Sequence, residues 1–181
     1  MSLKLQILKA KIHLFYKTGK IGKLDSSFNI SSKGMHLKNI LICFPIDEAS
    51  FRVAAYSFRK VRETILKDTN LVLLIPTSYK QLLHFNYGKI VTYNIKKEND
   101  MIFSNHEIDE ISKGMSFDMI VDLNSEFNLS ISQLISFLPS KYKVGFSSEF
   151  SDWFYNIQFN LSKNSFLEKG YSQIKSLLKT V

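Results

Sequence analysis

Apolar positions in this chain come in blocks, and the spacing inside each block predicts its element. Ile40-Leu41-Ile42-Cys43-Phe44 and Leu71-Val72-Leu73-Leu74-Ile75 are unbroken apolar runs, as expected of strands covered on both faces. Between them Phe51, Ala54, Ala55, Phe58, Val61 and Ile65 recur at helical spacing, with Asn70 ending that helix. Further strands are predicted at Lys89–Tyr93, Phe117–Leu123 and Tyr142–Phe146. A short helix fits Ser78 to Phe85, and Ile131, Leu134, Ile135 and Leu138 mark a longer one. Ser104-Asn105-His106-Glu107 reads as a capping box ahead of Ile108 and Ile111. Ser165-x-x-Glu168 caps a last helix, with Phe166, Gly170, Ile174, Leu177, Leu178 and Val181 on one side. Buried strands alternating with helices require a parallel sheet covered on both faces, hence a three-layer α/β fold.

The first residues follow another pattern. Over residues 2–17, Ser2, Gln6, Lys9, His13 and Lys17 form one polar ladder, and apolar side chains fill most of the remaining circumference. Lys4 and Lys11 interrupt that apolar arc, where they can snorkel. From Thr18 to Lys38 the chain turns polar, with Gly19, Gly22, Gly34 and four serines, the composition of a linker. The expected organisation is a basic amphipathic helix and linker over 1–37, then one Rossmann-like domain over 38–181 with a mostly parallel sheet of five to six strands. Charge sharpens the division. Residues 1–40 hold eight lysines and one acid, Asp25, whereas the 24 Lys and Arg of the whole chain meet 16 Asp and Glu. The helix is therefore expected to dock on an anionic membrane surface, in the groove of a protein partner, or back on its own domain.

Composition sets the outer bounds. With 181 residues, 45% of them apolar, the chain can bury a core without staples. Its one cysteine, Cys43, excludes a disulfide scaffold or a Cys-based zinc site and points to a reducing compartment. No apolar run is long enough to span a bilayer, and no secretory leader is expected at the N-terminus. The expected location is cytoplasmic, peripheral at the inner face of the membrane. Only three of the basic residues are arginines, and aromatic residues do not interleave with basic ones, which argues against nucleic acid as a partner.

In an open parallel sheet, ligands lie beyond the carboxyl ends of the strands. That rule selects Asp47, Glu48 and Ser50 after the first strand, and Thr77 and Ser78 after the second. After the fourth it selects Asp122 and Asn124, and after the fifth Ser147 and Ser148. Asp47 and Glu48 are the candidate catalytic acids, but the same positions suit first-turn acids that complement a helix dipole. The loop Phe44-Pro45-Ile46-Asp47-Glu48-Ala49-Ser50 has no glycine, so it matches neither a dinucleotide fingerprint nor a P-loop. No nucleotide or other cofactor and no metal is expected, since His13, His36, His84 and His106 have no ligand spacing. Asp118 reads as a solvated acid at a strand edge, Cys43 as a buried inert thiol, and Trp153-Phe154-Tyr155 as core or cleft mouth.

Several of these segments resemble one family. Ile40-Leu41-Ile42, the helix ending Phe58-Arg59-Lys60-Val61-Arg62, Asn70 to Pro76, Phe117-Asp118-Met119-Ile120-Val121-Asp122-Leu123 and Lys143-Val144-Gly145-Phe146 are similar to family 9 glycosyltransferases, the heptosyltransferase group. The resemblance covers roughly residues 38–150 and implies the acceptor-binding half of a two-domain GT-B enzyme. It places the family's Gly-Asp pair on Ala49 and Ser50, so a serine stands where the resemblance implies the catalytic aspartate. Three functions are open: a non-catalytic binding or scaffold domain, an acceptor-binding subunit completed by the donor domain of a partner, or a nucleic-acid binder using the basic arm. The first is expected.

Overall fold

The structure, a computed structural model, describes residues 3–24, 37–64, 68–95, 103, 105–112, 114–161 and 166–179. Six strands form one sheet: β1 (Asn39–Cys43), β2 (Asn70–Pro76), β3 (Lys89–Tyr93), β4 (Phe117–Asp122), β5 (Ser140–Phe146) and β6 (Ile157–Phe159). Their order is β3-β2-β1-β4-β5-β6, and every neighbouring pair is parallel. The helices are α1 (Leu3–Lys17), α2 (Glu48–Phe58), α3 (Val61–Thr64), α4 (Asn105–Ser112), α5 (Leu129–Phe137) and α6 (Leu167–Lys179), with 3-10 turns at Thr77–Leu82 and Ser151–Trp153.

The period-2 geometry of a strand sorts its side chains into two cores. Ile40, Ile42, Leu73, Met119, Val121 and Val144 face α2 and α6, where Phe51, Phe58, Tyr171 and Ile174 meet them. Leu41, Cys43, Val72, Leu74 and Ile120 face the other way, onto α1, α4 and α5. This is the three-layer, Rossmann-type architecture that the apolar runs predict.

Local departures have local causes. The helix expected through Val61 divides, because Arg59 donates its backbone N–H to Tyr56 O at i−3 and lays its guanidinium on the Tyr56 ring, 3.6 Å from the centroid. Ile65 lies outside the described residues, as do Ser104 and Ser165 of the two expected capping boxes and Val181. Asn70 opens β2 and does not end a helix; its N–H reaches Lys38 O at 2.7 Å. Phe166 does not join the buried side of α6: it precedes the first helical residue and is 82% exposed. Asp118, partly buried at the start of β4, is more than a solvated edge acid. Its carboxylate accepts from Lys38 N (2.7 Å) and Asn39 N (2.9 Å), satisfying the backbone that leads into β1.

The N-terminal arm lies on the sheet domain. α1 ends in a left-handed Gly19 (φ 70°), with Gly19 N donating to Tyr16 O and Lys20 N to Phe15 O, a Schellman motif that satisfies the last carbonyls. Ile12 (1% exposed) and Ile21 (3%) enter the core beside α5. Gln133 Nε2 donates to Lys20 O at 2.7 Å, and Gly22 N donates to Ser136 Oγ at 3.0 Å. Ser136 O in turn accepts from Lys143 Nζ. That lysine is buried on β5, and its desolvation lowers its pKa to about 8. At Gly22 the two backbones touch: a Cβ there would lie 2.3 Å from Ser136 O.

Gly22→Ala should therefore lift the arm from α5 and destabilise the protein by about 1–3 kcal/mol, the usual cost of forced overpacking. A urea titration monitored by the fluorescence of Trp153, which lies under α1, measures both. An unchanged midpoint would mean that the arm is not held there.

Candidate functional site

The strand order reverses between β1 and β4, and the crevice at that reversal is where an open α/β sheet takes its ligands. Cys43 and Asp122 are register partners at the carboxyl ends of those two strands. Asp122 continues the alternation of Ile120 toward the α5 side and is 2% exposed. An isolated carboxylate there would be costly, and three donors surround it. Tyr155 Oη donates to Oδ2 at 2.6 Å, while Asn124 donates to Oδ1 from Nδ2 at 2.6 Å and from its backbone N–H at 2.9 Å. Asn124 Oδ1 accepts from Ile46 N at 2.9 Å, and Ser132 Oγ lies 3.0 Å from Tyr155 Oη. One connected set of hydrogen bonds thus joins the loops after β1 and β4 to α5 and to the turn before β6.

Two tyrosines hold the β4 loop from opposite faces. Tyr155 reaches Asp122 from one side, and Tyr171 of α6 donates to Leu123 O at 2.9 Å from the other. Tyr155 needs Gly145 opposite it, since a Cβ there would come within 2.8 Å of its ring. Burial raises the pKa of Asp122 against the lowering effect of its hydrogen bonds from Tyr155 and Asn124. Burial, and then the neighbouring Asp122 charge, push up Cys43 and Tyr155. The Cys43 thiol is therefore an inert core group, as its place within an apolar strand predicts.

The other sequence-selected residues line the rim. Asp47 is the N-cap of α2, its Oδ1 accepting from Ser50 N at 2.8 Å. Glu48 pairs with Arg52 one turn on, at 2.7 Å, with both side chains more than half exposed. Thr77 Oγ1 donates to Tyr93 O. Ser147 N donates to Phe159 O and Ser148 N to Ser151 Oγ, so the loop after β5 is closed on itself. Asn124, Ile46 and Asp47 are brought together through the Asn124–Ile46 bond; Ser147 and Ser148 sit one strand further out, beyond β5. Phe154 and Tyr155 are core, whereas Trp153 is half-buried with the rings of His13 and Tyr16 edge-on to it, each 5.0 Å away.

Two residues at this edge were not singled out as candidate site residues by sequence: Tyr155, and Tyr93 at the end of β3. Tyr93 Oη is buried without a hydrogen-bond partner. Tyr93 closes β3, and that strand-end position was the available signal for it; Tyr155 lies in the turn before β6, where no local pattern marks it. A separate cavity of about 180 Å³ lies between α2, α3 and α6, where Ser57, Lys60, Lys175 and Lys179 line it; it is not part of the crevice.

The fold is similar to that of a family 9 glycosyl transferase from Veillonella parvula DSM 2008, with a TM-score of 0.63 and 16% identity over 83% of this chain and 44% of that one. It is similar to E. coli heptosyltransferase WaaC with ADP (TM-score 0.57, 9% identity, 76% of this chain and 46% of that one). The same enzyme with ADP-2-deoxy-2-fluoro heptose gives a TM-score of 0.55 at 12% identity, over 79% of this chain and 48% of that one. This chain spans less than half the length of each. No protein-family model and no curated protein matches the sequence. What the likeness shows is the fold: a Rossmann-type domain built like part of those glycosyltransferases.

Removing the Asp122 carboxylate should strand its donors. Asp122→Ala is expected to cost about 1–3 kcal/mol, because the two Asn124 donors lose their buried acceptor and the Tyr155 hydroxyl keeps only Ser132. Asp122→Asn keeps an acceptor and the shape, and should cost less at neutral pH. Because the folded pKa is raised, folding favours the protonated acid. Wild type should gain stability relative to Asp122→Asn as the pH falls from neutral toward about 4, the unfolded value. Urea unfolding of both proteins across that range tests the sign; a difference that shrinks on acidification would contradict it.

Proposed function

We propose that this domain is a binding module on a glycosyltransferase-like frame, holding a ligand or partner at the loops over residues 45–50, 122–125 and 147–152 without transferring sugar itself. The state of the acids at the carboxyl edge carries this reading. A general base needs a carboxylate within reach of a substrate hydroxyl and free to take its proton. Asp47 is bonded back to the first turn of its own helix, Asp122 is sealed behind Tyr155 and Asn124, and a serine occupies position 50. Glu48 is exposed but paired with Arg52, an interaction that is weak and screened at a surface.

Purified protein should neither hydrolyse nor transfer nucleotide sugars, followed by release of the nucleoside diphosphate. Turnover that disappears in Asp47→Asn or Glu48→Gln would overturn the proposal. Ligands that do bind should move amide resonances in those three loops; shifts confined to the amino-terminal edge of the sheet would count against the crevice. A second reading is supported by the coverage of less than half of each similar enzyme. In it the domain is an acceptor-binding subunit completed by a partner's donor domain. Turnover that arises only on adding a separately expressed donor domain would favour it.

A further inference from the structure

The arm that docks on the domain carries a second apolar face. On α1, Leu5, Leu8, Ile12 and Phe15 pack against the core. Leu3, Ile7, Ala10 and Leu14 fall within about 60° of one another on the opposite side of the helix. They are in solvent: Leu3 is 72% exposed, Ile7 59% and Leu14 58%, and Ala10 is exposed as well. Lys4 flanks this stripe on one side, with Gln6, Lys9, His13 and Lys17 on the other, and Lys4, Lys9 and Lys17 are all exposed. Lys11 instead turns toward the Phe15 ring, 5.4 Å from its centroid. Residues 1–24 contain six lysines and no acid.

We propose that this outward stripe of α1 is a binding face for an anionic lipid surface, on which the helix lies flat. α1 has 15 residues, about 22 Å of helix, and among the described residues no helix is long and apolar enough to cross a bilayer. An interfacial helix buries an apolar face at the headgroup boundary while its lysines meet anionic headgroups. That is the arrangement of Leu3, Ile7 and Leu14 between Lys4 and Lys9/Lys17. A second copy is the other occupant that the 3, 7, 10, 14 spacing fits. Pairing two such helices would bring lysine flanks against each other with no acid on either helix to answer them, so charge complementarity selects lipid. The face is also built before it binds. The Schellman end, the Gly22–Ser136 contact and the His13 and Tyr16 rings against Trp153 fix the rotation of α1 on the domain. Trp153 belongs to the turn that follows β5, so a bound membrane would lie near the loops of the crevice.

The test is flotation of the full chain with vesicles of phosphatidylcholine containing about one third phosphatidylserine, beside vesicles of phosphatidylcholine alone. The protein should float with the first and not with the second, and about 0.5 M salt should release it. Ile7→Ser with Leu14→Ser should abolish flotation without moving the melting temperature, since both side chains are already in solvent. Replacing Lys4, Lys9 and Lys17 by glutamine should weaken binding about fivefold per lysine, roughly a hundredfold together. Failure of the wild type to float with anionic vesicles would overturn the proposal. So would equal flotation with neutral vesicles, or a wild-type dimer that the Ile7/Leu14 variant converts to monomer.

Discussion

A carboxylate buried at the point where the strand order reverses organises this domain. Asp122 cannot sit there without donors, and supplying them commits much of the carboxyl edge. Asn124 must turn back on it and in doing so takes Ile46 N. Tyr155 must come from the turn before β6, and Gly145 must leave room for its ring. Tyr171 then holds the next carbonyl from α6 on the far face. In a low-dielectric interior such a set is strong when complete and costly when broken, so the crevice loops are fixed by the network beneath them.

That arrangement bears on chemistry. The β4 acid most deeply placed at the switch point is spent on structure, and the first-turn acid of α2 is spent on its cap. The exposed side chains of these loops include Ser147 and Ser148 with the acids Glu48, Glu126, Glu149 and Asp152. The likeness to the enzymes rests on the frame, at 9–16% identity.

The arm follows the same logic of satisfied groups on one side and open surface on the other. Its inner face is closed by Ile12, Ile21 and the α5 hydrogen bonds. Its outer face keeps leucines in water between lysines, a cost that a soluble helix with one buried face has no reason to carry.

The α/β class, the positions of β1 to β5 and the parallel sheet were legible in the sequence, because unbroken apolar runs such as Ile40–Phe44 and Leu71–Ile75 have no other way to be buried; the three-residue β6, Ile157–Phe159, was not. The burial of Cys43 and the helical character of residues 3–17 were legible for the same reason, as local patterns of hydrophobicity. Tertiary structure alone decided the roles of the polar residues. Asp122 and Asp118 are both acids of one strand, yet one becomes a buried acceptor of a tyrosine and the other a clamp on the backbone before β1. Nothing local marks Tyr155 as the neighbour of Asp122, since a hydrogen bond depends on which atoms the chain brings within 3 Å across 33 positions. The wide apolar arc of α1 was visible too, but how the helix is rotated on the domain, and hence which leucines remain outside, follows only from the contact of Gly22 with Ser136 and the packing of Ile12. Hydrophobic periodicity is a one-dimensional signal, and the pairing of polar groups is a three-dimensional one.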